Sequence, residues 1–444
     1  VLELAYGASL RKVESEIFQF DLTPRHGPGK TSDRLDGNQK WTLPTWHERL
    51  QPLFPYELYG IANTRFWADR DSVSFLEPGE ELPSKLVAVP KTATKPRLIA
   101  EEPTCMQYVQ QGIMRSLVTH LESGHTSKCF IGFSDQVPNQ ELARIGSMDG
   151  RFATLDLSDA SDRVANWLVE ALFEDFPVFS EAVESCRTRR VSLPSGEVLT
   201  LQKFASMGSA LTFPIEAMVF SAIAIAGVLE HRGSSPTAKA LKSLRGVVRV
   251  YGDDIIVPAD CAVTVIRWLK TFGFEVNENK SFWTGEFRES CGKEYWRGHD
   301  VTVTKFRKQL PQSRHDVDEV ISTVATRNLF CKQGLHAVAA ALDDVIVKVL
   351  RHFPYVTEDS PVLGRIHPAG FYQVDGMHPD YHRPMVTGYI VRSVLPHNSV
   401  DGSYALLKTL LSTIGNPDID KRHLRRSGRP RDVSIQLSRK ACPY

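Results

Sequence analysis

VYGDDIIVP, residues 250–258, sets two adjacent carboxylates, Asp253 and Asp254, between apolar β-branched runs. Residues 247–257 read as a β-hairpin with Gly252-Asp253-Asp254 at the tip of its turn. One unpaired carboxylate is costly to bury, and two side by side raise each other's pKa. The pair is therefore either a solvated acidic turn or a seat for cations. A third acid, Asp156, ends a separate short strand, FATLDL at 152–157. If the two strands are neighbours in one sheet, three carboxylates converge, and divalent cations would relieve their repulsion. Hard oxygen ligands suit magnesium or manganese. Such a cluster can hold two ions about 4 Å apart, the arrangement used in phosphoryl transfer.

The 444 residues are enough for two or three domains or subdomains, and the formal net charge of +1 advertises no polyanionic partner. Any nucleic-acid surface must come from local charge. The seven cysteines are scattered, with no CxxC pair and no Cys/His cluster at zinc-ligand spacing, which fits a reducing cytoplasm. No secretory signal is apparent, and the initial Val1 reads as a processed or truncated start. Residues 210–229, ALTFPIEAMVFSAIAIAGVL, approach the length of a membrane span. Pro214 and Glu216 in the first turns, and the lack of basic anchors on both flanks, favour a helix buried in a large core.

Residues 22–48, rich in Gly, Pro and Thr, read as loop or arm, and 86–99 as strand, basic loop, strand. After Asp156, Ser158 is expected to cap a helix carrying Val164, Leu168, Ala171 and Leu172, stopped by Pro177. A hairpin is expected around Pro194-Ser195-Gly196, an amphipathic helix at 263–272, and a mostly helical pattern beyond 311, including 317–353.

LDLSDASDR (155–163), SMGSALTFPIE (206–216), VYGDD (250–254) and NENKSFWTGEFRESCGKEYWRG (277–298) occur in the order of the palm motifs of viral RNA-dependent RNA polymerases. With AVPKTATKPRLIAEEP (88–103) before them, they most resemble the replicase subunits of the single-stranded RNA bacteriophages, the leviviruses of the Q-beta type. Five motifs in order are far more specific than a lone GDD.

The resemblance implies an α+β right-hand fold with an antiparallel palm sheet. It divides the chain into an N-terminal region (1–84), fingers with a basic nucleotide-entry motif (85–150), palm (151–175), a fingers insertion (176–205), palm (206–310), and a mostly helical thumb with a basic C-terminal tail (311–444). It implies RNA synthesis on an RNA template with two magnesium ions, for which manganese may substitute, and initiation without a primer. Asp156, Asp253, Asp254 and the Leu157 carbonyl would hold the ions. Lys280 would protonate the leaving pyrophosphate, unless it is a plain surface lysine. Lys91, Lys95 and Arg97 would neutralise the incoming triphosphate, against the alternative of a solvated basic face. Asp162 and Glu216 would sense the ribose 2′-hydroxyl, with Thr212 or Ser209 as the donor between them; the alternative for Asp162 is simple stabilisation of a helix N-terminus. Arg288, Lys293 and Arg297 would touch the product backbone, with Tyr295 and Trp296 packing or stacking.

The basic run 421–431 is either an RNA-tracking element or a solvated tail. The implied partners are single-stranded RNA template, nascent RNA, ribonucleoside triphosphates, and host elongation factors Tu and Ts with a ribosomal protein. The implied place is the cytoplasm of the infected bacterium, without a membrane. Two other readings stay open. One is a reverse transcriptase or other palm polymerase, against which the small polar Ser158–Asp162 region argues. The other is a non-catalytic RNA-binding protein that keeps a polymerase fold.

Overall fold

A computed structural model of the chain describes residues 1–90, 96–415, 419–420, 422–430 and 432–442. The fold is mixed helix and sheet, and forms two compact units. The first comprises Val1–Val89, Leu98–Thr302 and Asn398–Arg425; the second comprises Pro90–Arg97, Val303–His397 and Arg426–Tyr444.

The first unit is built on a three-stranded antiparallel sheet in the order Phe152–Leu155, Asp254–Pro258, Arg249–Tyr251. The central strand carries Ile255, Ile256 and Val257, all buried. A continuous apolar run of this kind suits a strand covered on both faces. The helix Thr212–His231 packs against that strand and against the helix Ala262–Thr271. It is the one helix among the described residues long and apolar enough to cross a bilayer, and 89% of its apolar window is buried in the protein. Gly227 lets its partner helix come close, since a Cβ there would lie 3.1 Å from the Val265 Cα. The helices Leu2–Phe18 and Thr104–Ser123 pack on each other and both touch Thr212–His231.

Local departures from the expected pattern have local causes. The helix after Asp156 is short, Ala160–Arg163, and Asp159, not Ser158, precedes it in left-handed conformation without a side-chain cap. The chain then runs extended through Val164 and Ala165 to bridge the 202–204 segment, so a second helix starts afresh at Asn166–Leu172. Pro177 opens the next helix, Pro177–Ser185, where its missing N–H costs nothing. The hairpin around Pro194-Ser195-Gly196 forms as expected from Arg190–Ser192 and Val198–Thr200. The strands Ser84–Pro90 and Pro96–Glu101 flank residues 91–95, which lie outside the described residues.

The second unit corrects the expectation of a mostly helical end. The 317–353 stretch is two helices, Val317–Lys332 and His336–Leu350, broken at Gly334 (φ 77°). Beyond them lies an antiparallel sheet in which Pro384–Val394 pairs with Asp432–Ala441 over ten residues, with Val362–Leu363 and Gly376–Met377 along the other edge. Asp432–Ala441 alternates Val433, Ile435 and Leu437 with polar residues, but its partner does not, since Tyr389, Ile390 and Val391 are consecutive. The basic stretch leads directly into the second of them. Its residues 422–430 form turns and irregular chain, and Lys421 and Arg431 lie outside the described residues.

Candidate active site

Two residues, not three, make the acidic turn. Tyr251 pairs with Asp254, leaving Gly252 and Asp253 between the strands. Gly252 has φ 60°, and Asp253 is not left-handed, the sign pattern of a type II′ turn with glycine first. A Cβ on Gly252 would also meet Phe213 Cε2 at 2.3 Å. Asp253 thus stands at the tip, and Asp254 is corrected from a tip residue to the first residue of the central strand.

Ile255 pairs with Leu155 in the same sheet, so continuing the register by one residue sets Asp156 across from Asp254. Asp156 is gripped from its other side. Its N–H donates to Ser281 Oγ (3.0 Å), its carbonyl accepts from the Asn277 N–H (2.9 Å), and Asn277 Nδ2 donates to its Oδ2 (3.1 Å). Leu157 continues into a short antiparallel pairing with Val276. Asp254 accepts from Ser290 Oγ at 3.3 Å and from the Cys291 N–H.

Burial pushes the Asp254 carboxyl up to about 6, and the charges of Asp253 and Asp156 push the same way. Burial also raises Asp156; exposed Lys280 opposes that and Asp253 adds to it. The Asp253 charge raises both of its neighbours, and three hard carboxylates so placed are a donor set suited to a hard divalent cation. Among the described residues, the one trio of ligating side chains with atoms within 4.8 Å of one another lies elsewhere: His231, Asp260 and Cys261. That trio is not visible from sequence spacing. Arg232 lies beside the Cys261 thiol, and its positive charge there opposes a cation.

The sugar-side residues divide into two pairs. Glu216, 5% exposed, accepts from Ser161 Oγ at 2.6 Å. Burial, reinforced by the charges of Asp253 and Asp162, pushes Glu216 up to about 8. Asp162 is exposed and pairs with Lys203 Nζ. The expected donors face elsewhere: Thr212 Oγ1 donates to the Ser206 carbonyl (2.8 Å), and Ser209 Oγ accepts from the Leu211 N–H (3.3 Å). Ser161 takes the place assigned to them. Neither Ser161 nor Lys203 stands out in sequence, because each is defined by a partner 41 or more residues away.

Glu216 makes stability fall with rising pH. Below its ordinary 4.5 both folded and unfolded chains hold the proton; between 4.5 and about 8 only the folded chain does, which disfavours folding. Glu216→Gln should therefore gain on wild type between pH 5 and pH 9, by about 3–5 kcal/mol. Urea unfolding in chelator at the two pH values measures it, and a pH-independent difference would contradict the assignment.

The 206–211 loop is seated by backbone contacts. The Ala100 N–H donates to the Met207 carbonyl (2.7 Å), and the Ala210 N–H donates to Gln110 Oε1 (3.2 Å). Gly208 has φ 131°, and a Cβ there would lie 1.8 Å from the Ala100 carbonyl oxygen. Gly208→Ala should cost about 2–4 kcal/mol in urea unfolding; a loss below about 0.5 kcal/mol would mean the loop is not held this way.

The basic residues fare unevenly. Lys91 and Lys95 lie outside the described residues, and Arg97 is exposed. Residues 287–300 form a three-strand meander whose two-residue turns, Cys291-Gly292 (φ 49° and 72°) and Arg297-Gly298 (φ 50° and 80°), are left-handed throughout, as type I′ turns require. Lys293 pairs with Asp300 (2.6 Å), and Arg297 pairs with Glu286 (2.5 Å) and sits over the Trp296 ring. Tyr295 is packed inward. Arg288 is a correction. It is 1% exposed, and its guanidinium donates to four carbonyls, those of Phe152 (2.5 Å), Thr284 (3.2 Å), Gly285 (3.0 Å) and Phe287 (2.7 Å). It fastens the meander to the Phe152–Leu155 strand and is not available to RNA.

The chain is 37% identical over 227 residues to the RNA-directed RNA polymerase subunit beta of Qbeta virus (strain MX1), a match covering 51% of this chain and 36% of that protein. It is 36% identical over 222 residues to the RNA-directed RNA polymerase beta chain of Escherichia phage MS2, covering 50% and 37%. The match thus spans little more than a third of the length of these relatives. Among solved structures, the RNA-dependent RNA polymerase of a human picorbirnavirus aligns at 13% identity and a TM-score of 0.42, covering 60% of this chain and 55% of that one. The family described as RNA replicase, beta-chain, matches residues 80–321, more than half of the 444, and the chain belongs to that family.

Proposed function

We propose that the chain synthesises RNA on an RNA template by nucleotidyl transfer. The observation that carries this reading is the register that sets Asp156 across from Asp254 with Asp253 at the adjoining turn, in a chain of this family. Asp156, Asp253, Asp254 and the Leu157 carbonyl would hold two magnesium ions, or manganese in their place. Bound there, the ions supply Lewis-acid activation of the attacking 3′-hydroxyl and charge stabilisation of the leaving pyrophosphate.

The rest of the work falls to side chains. Asn277 holds the Asp156 carboxylate for this task, and Ser281 holds its backbone. Lys280, exposed beside Asp156, is positioned to return a proton to pyrophosphate. Lys91, Lys95 and Arg97 neutralise the triphosphate. Asp162 accepts a hydrogen bond from the ribose 2′-hydroxyl, and Glu216, protonated at neutral pH, closes the pocket behind it. Ser209 and Thr212 shape the loop that faces the sugar. Lys293 and Arg297 hold surface ion pairs that are easily exchanged for phosphate contacts, since exposed pairs are worth little.

In this reading 151–175 and 206–310 are palm, 85–150 and 176–205 fingers, and the region past 311 thumb. The chain copies a phage genome in the cytoplasm of an infected bacterium, starts without a primer, and works with host elongation factors Tu and Ts and a ribosomal protein. The test is nucleotide incorporation by the purified chain on single-stranded RNA in magnesium, with ribo- or deoxynucleotides, with and without host-cell extract. Ribonucleotide incorporation in either condition supports the proposal. Preference for deoxynucleotides, or none incorporated even with extract, refutes it.

A further inference from the structure

We infer that Lys203 is the positioning residue through which the chain tells ribose from deoxyribose; this rests on the reading of Asp162 as the sugar's acceptor. Asp162 lies in a region of crowded negative charge, where it and Asp253 both act on buried Glu216. An exposed carboxylate on a four-residue helix has many rotamers, and a sugar hydroxyl gains little from an acceptor that must first be ordered. Lys203 supplies the order. Its ammonium engages Asp162 Oδ1 and leaves Oδ2 free to accept a hydroxyl. The neighbouring cation, Arg163, pairs instead with Glu275 at 2.5 Å.

The position of Lys203 is itself fixed by backbone. The Asn166 N–H donates to the Gln202 carbonyl (3.1 Å), the Phe204 N–H donates to the Val164 carbonyl (2.7 Å), and Ala165 and Lys203 form the bridge between them. Arg187 Nη1 adds a bond to the Lys203 carbonyl at 3.4 Å. This short ladder ties the chain just after Asp162 to the chain just before the 206–211 loop. One lysine therefore sets Asp162 in register with the loop proposed to face the same sugar. The Lys203 side chain is half-buried, 23% exposed, while its Asp162 partner, 54% exposed, stays open to a ligand.

The experiment measures equilibrium binding of GTP and dGTP, in magnesium, to the full chain on an RNA hairpin that templates cytosine and ends in a 3′-deoxynucleotide, so that no turnover occurs. Wild type should prefer GTP by about tenfold or more, the value of one hydrogen bond to a charged acceptor. Lys203→Met should reduce that preference to about twofold by weakening GTP while leaving dGTP nearly unchanged, and Lys203→Arg should restore most of it. Lys203→Met added to Asp162→Ala should change nothing further, because the two act as one unit. A full preference retained by Lys203→Met overturns the inference and leaves the polymerase reading intact. Equal weakening of GTP and dGTP assigns Lys203 a merely structural role and also overturns it. A wild type with no preference removes the sugar role of Asp162 itself, and the inference with it, whatever the incorporation assay gives.

Discussion

Asp253→Asn should lower RNA synthesis by roughly three orders of magnitude or more while leaving the chain folded. The asparagine keeps the size and turn geometry of Asp253 but removes a full negative charge from the tip. In the free protein that charge raises Asp254 and Asp156, so its loss relieves repulsion. Urea unfolding without divalent ions should show the variant equal to or slightly more stable than wild type. Magnesium should then stabilise wild type and do little for the variant. Retained synthesis, or equal stabilisation of both by magnesium, would sink the metal assignment. The two readouts separate a lost ligand from a lost fold, because a misfolded variant would be less stable even without metal.

Arg288→Ala should be the most destabilising single change in the candidate site. It strands the buried Phe152 carbonyl, releases the part-buried carbonyls of Thr284, Gly285 and Phe287, and leaves a cavity, for a loss of about 3–5 kcal/mol. Arg288→Met fills the cavity without the donors and should recover only a minor part. If Arg288 instead touched RNA, both variants would keep wild-type stability and would reduce the salt dependence of RNA binding by about one phosphate contact. Denaturant midpoints alongside binding at two salt concentrations decide between these outcomes.

Much of the centre of the fold was legible because its signals are local. The apolar run through Ile255–Val257, the glycine before Asp253 and the strand ending at Asp156 each declare themselves within a few residues. The apolar helix at 212–231 was equally plain, and Pro214 and Glu216 near its start marked it as a core helix and not a membrane span. What escaped depends on pairing across sequence distance. Arg288 carries the same charge as Lys293, and nothing beside it says that Phe152 will take up its guanidinium. Ser161 was passed over for Thr212 and Ser209 because the spacing on one helix was visible and the approach of a second helix was not. The C-terminal sheet was missed for a related reason: Asp432–Ala441 acquires meaning as a strand only against Pro384–Val394.

The burial of the Thr212–His231 helix also has an order in time. Two of its partners, Leu2–Phe18 and Thr104–Ser123, precede it in the chain, but the helix that covers it closely, Ala262–Thr271, follows it. A ribosome that has just placed His231 must add 40 more residues, 271 less 231, before that cover is complete. At about 5–20 residues per second this takes about 2–8 s. For that interval the growing chain lacks the wall that covers this apolar helix, and it is more open to association with other copies than the finished fold.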